Sequence, residues 1–154
     1  MTRINANLHP EHLLDQHLMA EYRELPMVYA ALRRSLRTKS VDDVLKSVPP
    51  RFTLNKGHVS FFYDKITFLE GRYERLIDEL KTRGYNLDDS RRYDVSDIPE
   101  VFHNTWEMND IDKQLIQERI YKRYHEKPTF YTYYGSHVDD ATIDLMYGNS
   151  RNSH

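Results

Sequence analysis

No cysteine occurs in this 154-residue chain. That absence excludes disulfides, thiolate nucleophiles and cysteine-ligated zinc, so stability has to come from packing and any covalent chemistry from another nucleophile. No apolar run is long enough to cross a bilayer, and the chain does not open with the basic-then-apolar pattern of a secretory signal. A cytoplasmic protein without membrane contact is expected. Metal-ligand spacing is also missing. The eight histidines form no H-E-x-x-H, and the cluster His9, His12 and His17 reads as solvated or capping imidazoles, so neither a metal nor any other cofactor is expected. Nor is there an excess of positive charge. The formal net charge of −2 argues mildly against wholesale binding of nucleic acid, whose phosphates call for a basic surface.

What is present is enough apolar content, 39%, for one domain around one core. Charge is also unevenly placed. Arginine and lysine gather in "LRRSLRTK" (32–39), "DDSRRYD" (88–94) and "ERIYKRYHEK" (118–127), and the last of these runs straight into "PTFYTYYG". A basic helix face leading into aromatics suits a nucleic-acid surface, although the same rings also suit a core.

Three main helices are predicted, joined by long irregular connections. The first spans about residues 10–39, where Leu14, Leu18, Tyr22, Leu25, Tyr29, Leu32 and Leu36 form one apolar stripe. At about 100° per residue, Gln16, His17, Ala20, Arg23, Glu24 and Met27 share an arc of about 120° on the other side. Pro26 should kink this helix near Tyr22, because its ring crowds the carbonyl four residues back. The second helix spans about 58–83 and stops at Gly84; the third spans about 110–125 and ends before Pro128. No stretch alternates cleanly enough for a strand, so the class is all-α. Residues 1–135 form the functional domain in this reading, and 136–154 a polar C-terminal tail expected to be partly disordered.

Several stretches in order, "MTRIN", "DQHLMAEYRELP", "GHVSFFYDK", "SDIP" and "KPTFYTYYG", carry a resemblance. The chain is similar over about residues 1–135 to the pyrimidine-dimer DNA glycosylase/AP lyase family, the endonuclease V of phage type, with one extra residue before Asp15. The resemblance implies a monomeric DNA-repair enzyme acting on double-stranded DNA that carries damaged pyrimidines. It also implies that Met1 is removed and that the α-amine of Thr2 attacks the sugar. An α-amine, with a pKa of about 7.7–8.0, keeps roughly a tenth of its molecules neutral at pH 7, against about one in a few thousand for a lysine.

Glu24 is the carboxylate at the matching position, suited to stabilising charge at C1′ and assisting proton transfer. By the same resemblance Arg3, Arg23, Arg119 and Arg123 grip phosphates, a task for which the guanidinium fork is shaped. Gln16 and His17 line the pocket, and Phe130, Tyr131, Tyr133 and Tyr134 form an aromatic tail near the nucleic acid, core packing being an equal reading for some of them. Glu21, turned toward the apolar side, is the poorer catalytic candidate. The chain departs from the family at Met27, Glu70-Gly71, Asp88, Phe130 and Thr132. Most of these changes remove positive charge and should weaken non-specific DNA binding. The competing readings are the same machinery acting on another base lesion, and a non-catalytic DNA-binding or interaction module on the same scaffold.

Overall fold

A computed structural model describes residues 3–88, 90 and 92–148. The first expected helix is two helices, α1 (Asp15–Glu24) and α2 (Pro26–Thr38). Pro26 occupies the first position of α2, where the missing N–H is not needed, so the break falls at Leu25 rather than near Tyr22. Together they bury Leu18, Leu25, Val28, Tyr29 and Leu32, most of the predicted stripe. A short helix, α3 (Val41–Ser47), follows, its first turn capped by the Ser40 hydroxyl.

The second expected helix is also split, into α4 (His58–Phe61) and α5 (Ile66–Thr82). At the break the Lys65 ammonium donates to the Phe61 carbonyl at 2.8 Å. Around it Phe52, Phe61, Phe62, Phe68 and Trp106 pack largely edge to face. As expected, α5 ends at Gly84, whose φ of +92° allows the Tyr85 N–H to close the turn onto the Leu80 carbonyl. A long connection, with one 3-10 turn at Glu100–Phe102, leads to α6 (Asp110–Glu126), which opens on a reciprocal capping box between Asn109 and Asp112.

Beyond α6 the expectations need correction. A two-stranded antiparallel hairpin, β1 (Thr132–Tyr133) and β2 (Ser136–His137), pairs Thr132 with His137 and Tyr133 with Ser136. Strands of two residues are too short to show alternation, and the chain stays all-α. Its turn places Tyr134 and Gly135 at φ of +51° and +80°, the double left-handed conformation of a tight hairpin. The Asp15 carboxylate accepts from both of their N–H groups, at 3.1 and 2.9 Å, from the Thr132 hydroxyl at 2.6 Å and from Arg83 at 2.8 Å. The polar tail also begins later than residue 136. A helical turn, α7 (Asp140–Ile143), and a wider turn over Asp144–Gly148 bury Val138, Ile143 and Tyr147. Tyr124 of α6 donates its hydroxyl to the Val138 carbonyl at 3.0 Å, and Tyr147 donates to the His12 carbonyl. Two or three apolar anchors suffice to fix a segment whose composition is otherwise polar. The stretch 149–154 lies outside the described residues.

At the centre, α1 packs on α5 around an ion pair. Glu21 and Arg72 meet at 2.7 Å, and neither side chain reaches solvent. Each sits on the apolar stripe of its helix, Glu21 between Leu18 and Leu25, and Arg72 between Leu69 and Leu76. Their charges are tolerable there only because every polar atom finds a partner. Arg72→Met should therefore lower stability in urea unfolding by about 3–5 kcal/mol, since it strands a buried carboxylate. Replacing Glu21 by Gln in the same protein should cost less than the two single changes summed; additive losses would mean that the two groups act independently.

Candidate active site at the N-terminal segment

Arg3, Asn5, His17, Ala20, Glu21, Glu24, Arg119, Arg123 and Tyr131 line one cavity of about 290 Å³. Four parts of the fold supply them. The N-terminal segment brings Arg3 and Asn5, and α1 brings His17, Ala20, Glu21 and Glu24. On α6, Arg119 and Arg123 are one turn apart and so share a face. Tyr131 stands just before the hairpin, its ring 4.9 Å from that of His17. A second cavity, of about 530 Å³, shares Arg3, Arg119 and Arg123 with the first and adds Phe52, Leu54, Leu115 and Lys122 to its walls.

The N-terminal segment is fastened at several points. Ile4, Ala6 and Leu8 are buried. The Ile4 N–H donates to Nε2 of His58 at 2.8 Å, while Nδ1 of His58 lies 2.7 Å from the Thr53 carbonyl. That pair of contacts requires a neutral imidazole with its proton on Nδ1. One residue on, the Asn5 N–H and its amide nitrogen both donate to Oε1 of Glu21, at 3.1 and 2.7 Å. Arg72 completes the clasp, donating to Glu21 through Nε and Nη2 and to the Leu8 carbonyl through Nη1 at 2.5 Å.

Electrostatically the cavity is a confined cationic site. Burial, with Arg3 and Arg123 as neighbours, lowers the Arg119 guanidinium to about 10. Burial and the same α6 arginines push His17 down to about 4, so its ring is neutral at pH 7. Glu24 is half-buried at the last position of α1. Burial raises its carboxyl above the ordinary range, against the pull of nearby positive charge that includes Arg119 and Arg3. A carboxylate that is a stronger base than a solvated one, in a cavity it shares with three guanidiniums, can stabilise a developing cation, accept a proton and sit beside a bound anion. Among the described residues no three His, Asp or Glu side chains converge as a metal site would require.

The sequence-predicted residues divide. Arg3, His17, Glu24, Arg119, Arg123 and Tyr131 meet at the cavity. Gln16 does not line it, because its amide is spent on Thr132, donating to the hydroxyl at 3.0 Å and accepting from the N–H at 2.9 Å. Arg23 and Met27 are exposed outside it. Phe130 is 54% exposed and free to meet a ligand. Tyr133 and Tyr134 instead donate to the Glu11 carbonyl and the Glu79 carboxylate and flank Arg83. The expected nucleophile, Thr2, lies outside the described residues. Sequence reasoning missed Asn5, His58 and Arg72 and ranked Glu21 low. The legible signal was a charge on each of two apolar stripes, with opposite signs.

Residues 1–93 match the family model described as pyrimidine dimer DNA glycosylase, more than half of the chain. Arg3, His17, Glu24 and the whole Glu21–Arg72 clasp fall within that stretch. Arg119, Arg123 and Tyr131 lie beyond it and complete the same cavity.

Two histidines, buried His58 and half-buried His17, make stability depend on acid. Both His17 and His58 have folded values near 4, below the 6.5 of an unfolded chain. Above pH 6.5 both states are neutral and nothing is lost. Between pH 6.5 and about 4 only the unfolded chain takes up the protons, so stability falls, on the order of 3 kcal/mol per histidine, and levels off below pH 4. Imidazole resonances followed by NMR should give midpoints near 4 for these two residues; a midpoint near 6.5 for His17 would place its ring in solvent.

Proposed function

Because the chain belongs to the pyrimidine dimer DNA glycosylase family, we propose that it excises dimerised pyrimidines from double-stranded DNA through an imine and then nicks the strand as an AP lyase. One observation carries the reading: a half-buried carboxylate with a raised pKa, Glu24, shares a cavity with three guanidiniums and with the fastened N-terminal segment. Thr2 is the residue bonded to Arg3, which lines that cavity, and its α-amine, freed by loss of Met1, is the nucleophile.

The chemistry follows from these groups. The neutral amine attacks C1′, and the bond from C1′ to the base breaks, the base leaving with the electron pair and taking up a proton from solvent. Glu24 stabilises the positive charge at C1′ in the transition state and takes a proton from the ammonium formed. The sugar ring then opens. Nitrogen donates its pair to make the C=N bond, and O4′ leaves with its own pair and is protonated to a C4′ hydroxyl. Loss of a proton from C2′ expels the 3′ phosphate by β-elimination. Arg3, Arg119 and Arg123 hold the flanking phosphates, and an anion among them relieves the charge repulsion between the three. The neighbouring 530 Å³ cavity, lined by Phe52, Leu54 and Leu115 together with four cationic and two acidic side chains, suits a nucleotide swung out of the helix, which opens access to C1′.

Glu24→Gln should leave affinity for duplex DNA containing a tetrahydrofuran abasic analogue within about threefold of wild type and lower the glycosylase rate by about 100-fold or more. A rate within a few fold of wild type would remove Glu24 from the mechanism. Acetylating the terminus, or retaining Met1, should abolish borohydride trapping on abasic DNA with the fold intact by circular dichroism. An acetylated nitrogen has no lone pair to give, and a retained Met displaces the amine by about 3–4 Å. Covalent trapping by acetylated protein would make a side chain the nucleophile.

A further inference from the structure

Three buried side-chain polar atoms among the described residues have no hydrogen-bond partner: Oδ1 of Asn5, Nδ1 of His17 and Nε of Arg119. All three belong to residues that line the 290 Å³ cavity. An unpaired buried polar atom is costly, and three gathered around one space mark it as shaped for a ligand with both donors and acceptors. Arg119 offers a donor, which DNA satisfies readily. Asn5 offers an acceptor.

The orientation of that amide is settled by its neighbours. Its nitrogen faces the Glu21 carboxylate at 2.7 Å, a group that can only accept, so the oxygen is the atom left over. Asn5 is only 2% exposed, its N–H is held by the same carboxylate, and that carboxylate is fixed by Arg72. The oxygen therefore cannot easily turn away to another partner.

An intact DNA backbone has nothing to give it. Phosphate oxygens and O4′ are acceptors, and the deoxyribose within a strand carries no hydroxyl. Within the backbone a donor arises only as the reaction proceeds, the C4′ hydroxyl released when the ring opens, and the N–H on the attacking nitrogen becomes a charged, stronger donor once the protonated imine forms. We propose that Asn5 is a further substrate-contacting residue, its Oδ1 accepting a hydrogen bond from one of these reaction-born donors. This inference rests on the imine reading above. Such a contact strengthens between ground state and intermediate, so it speeds the chemistry without tightening the binding of undamaged or unreacted DNA.

The test separates those two effects. In Asn5→Ala the affinity for duplex containing tetrahydrofuran, which has no C1′ leaving group and cannot open, should stay within about twofold of wild type. The rate of borohydride trapping on a natural abasic site should fall about tenfold. Trapping at the wild-type rate overturns the inference, and so does an equal loss in both measurements, which would make Asn5 a ground-state or structural residue. Should the variant not fold, the wild-type protein decides: in a crystal structure of the borohydride-reduced adduct, Oδ1 should lie within 3.2 Å, the usual hydrogen-bond limit, of the linking nitrogen or the C4′ hydroxyl. Absence of both contacts overturns it. Wild-type protein that fails to trap at all overturns the imine reading and this inference together, whereas wild-type trapping with an unimpaired Asn5→Ala overturns the role of Asn5 alone.

Discussion

The carboxylate of Glu21 and the guanidinium of Arg72 decide where the segment from Asn5 to Leu8 runs. Both are withdrawn from water between α1 and α5, and a buried pair of this kind contributes little net energy unless its remaining polar valences are filled. Here the fillers are backbone and side-chain atoms of residues 5 and 8. The N-terminal segment is thus a component of the charge pair's coordination, and it stays in place because releasing it would leave buried charge unsatisfied. Segments near a terminus ordinarily fray; the one from Asn5 to Leu8 is held by the most solvent-excluded ion pair among the described residues.

Around that clasp the cavity is assembled from elements with separate folding logic. Glu24 ends α1 because Pro26 starts α2, so the carboxylate stands at a helix break rather than inside a continuous face. Arg119 and Arg123 arrive on α6, and Tyr131 arrives because Asp15 pins the hairpin that follows it. Burial of Asp15 alone would raise its carboxyl, but hydrogen bonds from Thr132, Gly135, Arg83 and Tyr134 outweigh that and hold it low. Charge at Asp15 therefore has a structural purpose, whereas burial raises the Glu24 carboxyl, the group that the proposed chemistry uses.

Departures from the family's basic positions fall mostly on exposed parts of the chain. Met27, Glu70, Gly71 and Asp88 are exposed and do not line the 290 Å³ cavity, so under the proposed function they bear on contact with a long polyanion more than on the treatment of one sugar. Thr132 differs in kind. Its hydroxyl joins Asp15 to Gln16, so this position is absorbed into the fold.

Helix content, the three main helical regions and the stop at Gly84 were legible in the sequence, because they follow from local periodicity and from backbone preferences of single residues. Most of the residues now seen at the cavity were legible too, through ordered motifs and the polar face shared by His17, Ala20 and Glu24. Gln16 and Arg23 share that face and yet stand apart from the cavity, because an arc on a helical wheel says nothing of what packs against it. The hairpin and the burial of Val138, Ile143 and Tyr147 were not legible, since two-residue strands carry no period and a few anchors are lost in a polar composition. Asn5, His58 and Arg72 became site residues only through contacts 16 to 54 positions apart in the chain. Local patterns report which face of an element is apolar; which buried charge meets which, and what atom is left unpaired beside a cavity, is fixed only when the helices close on one another.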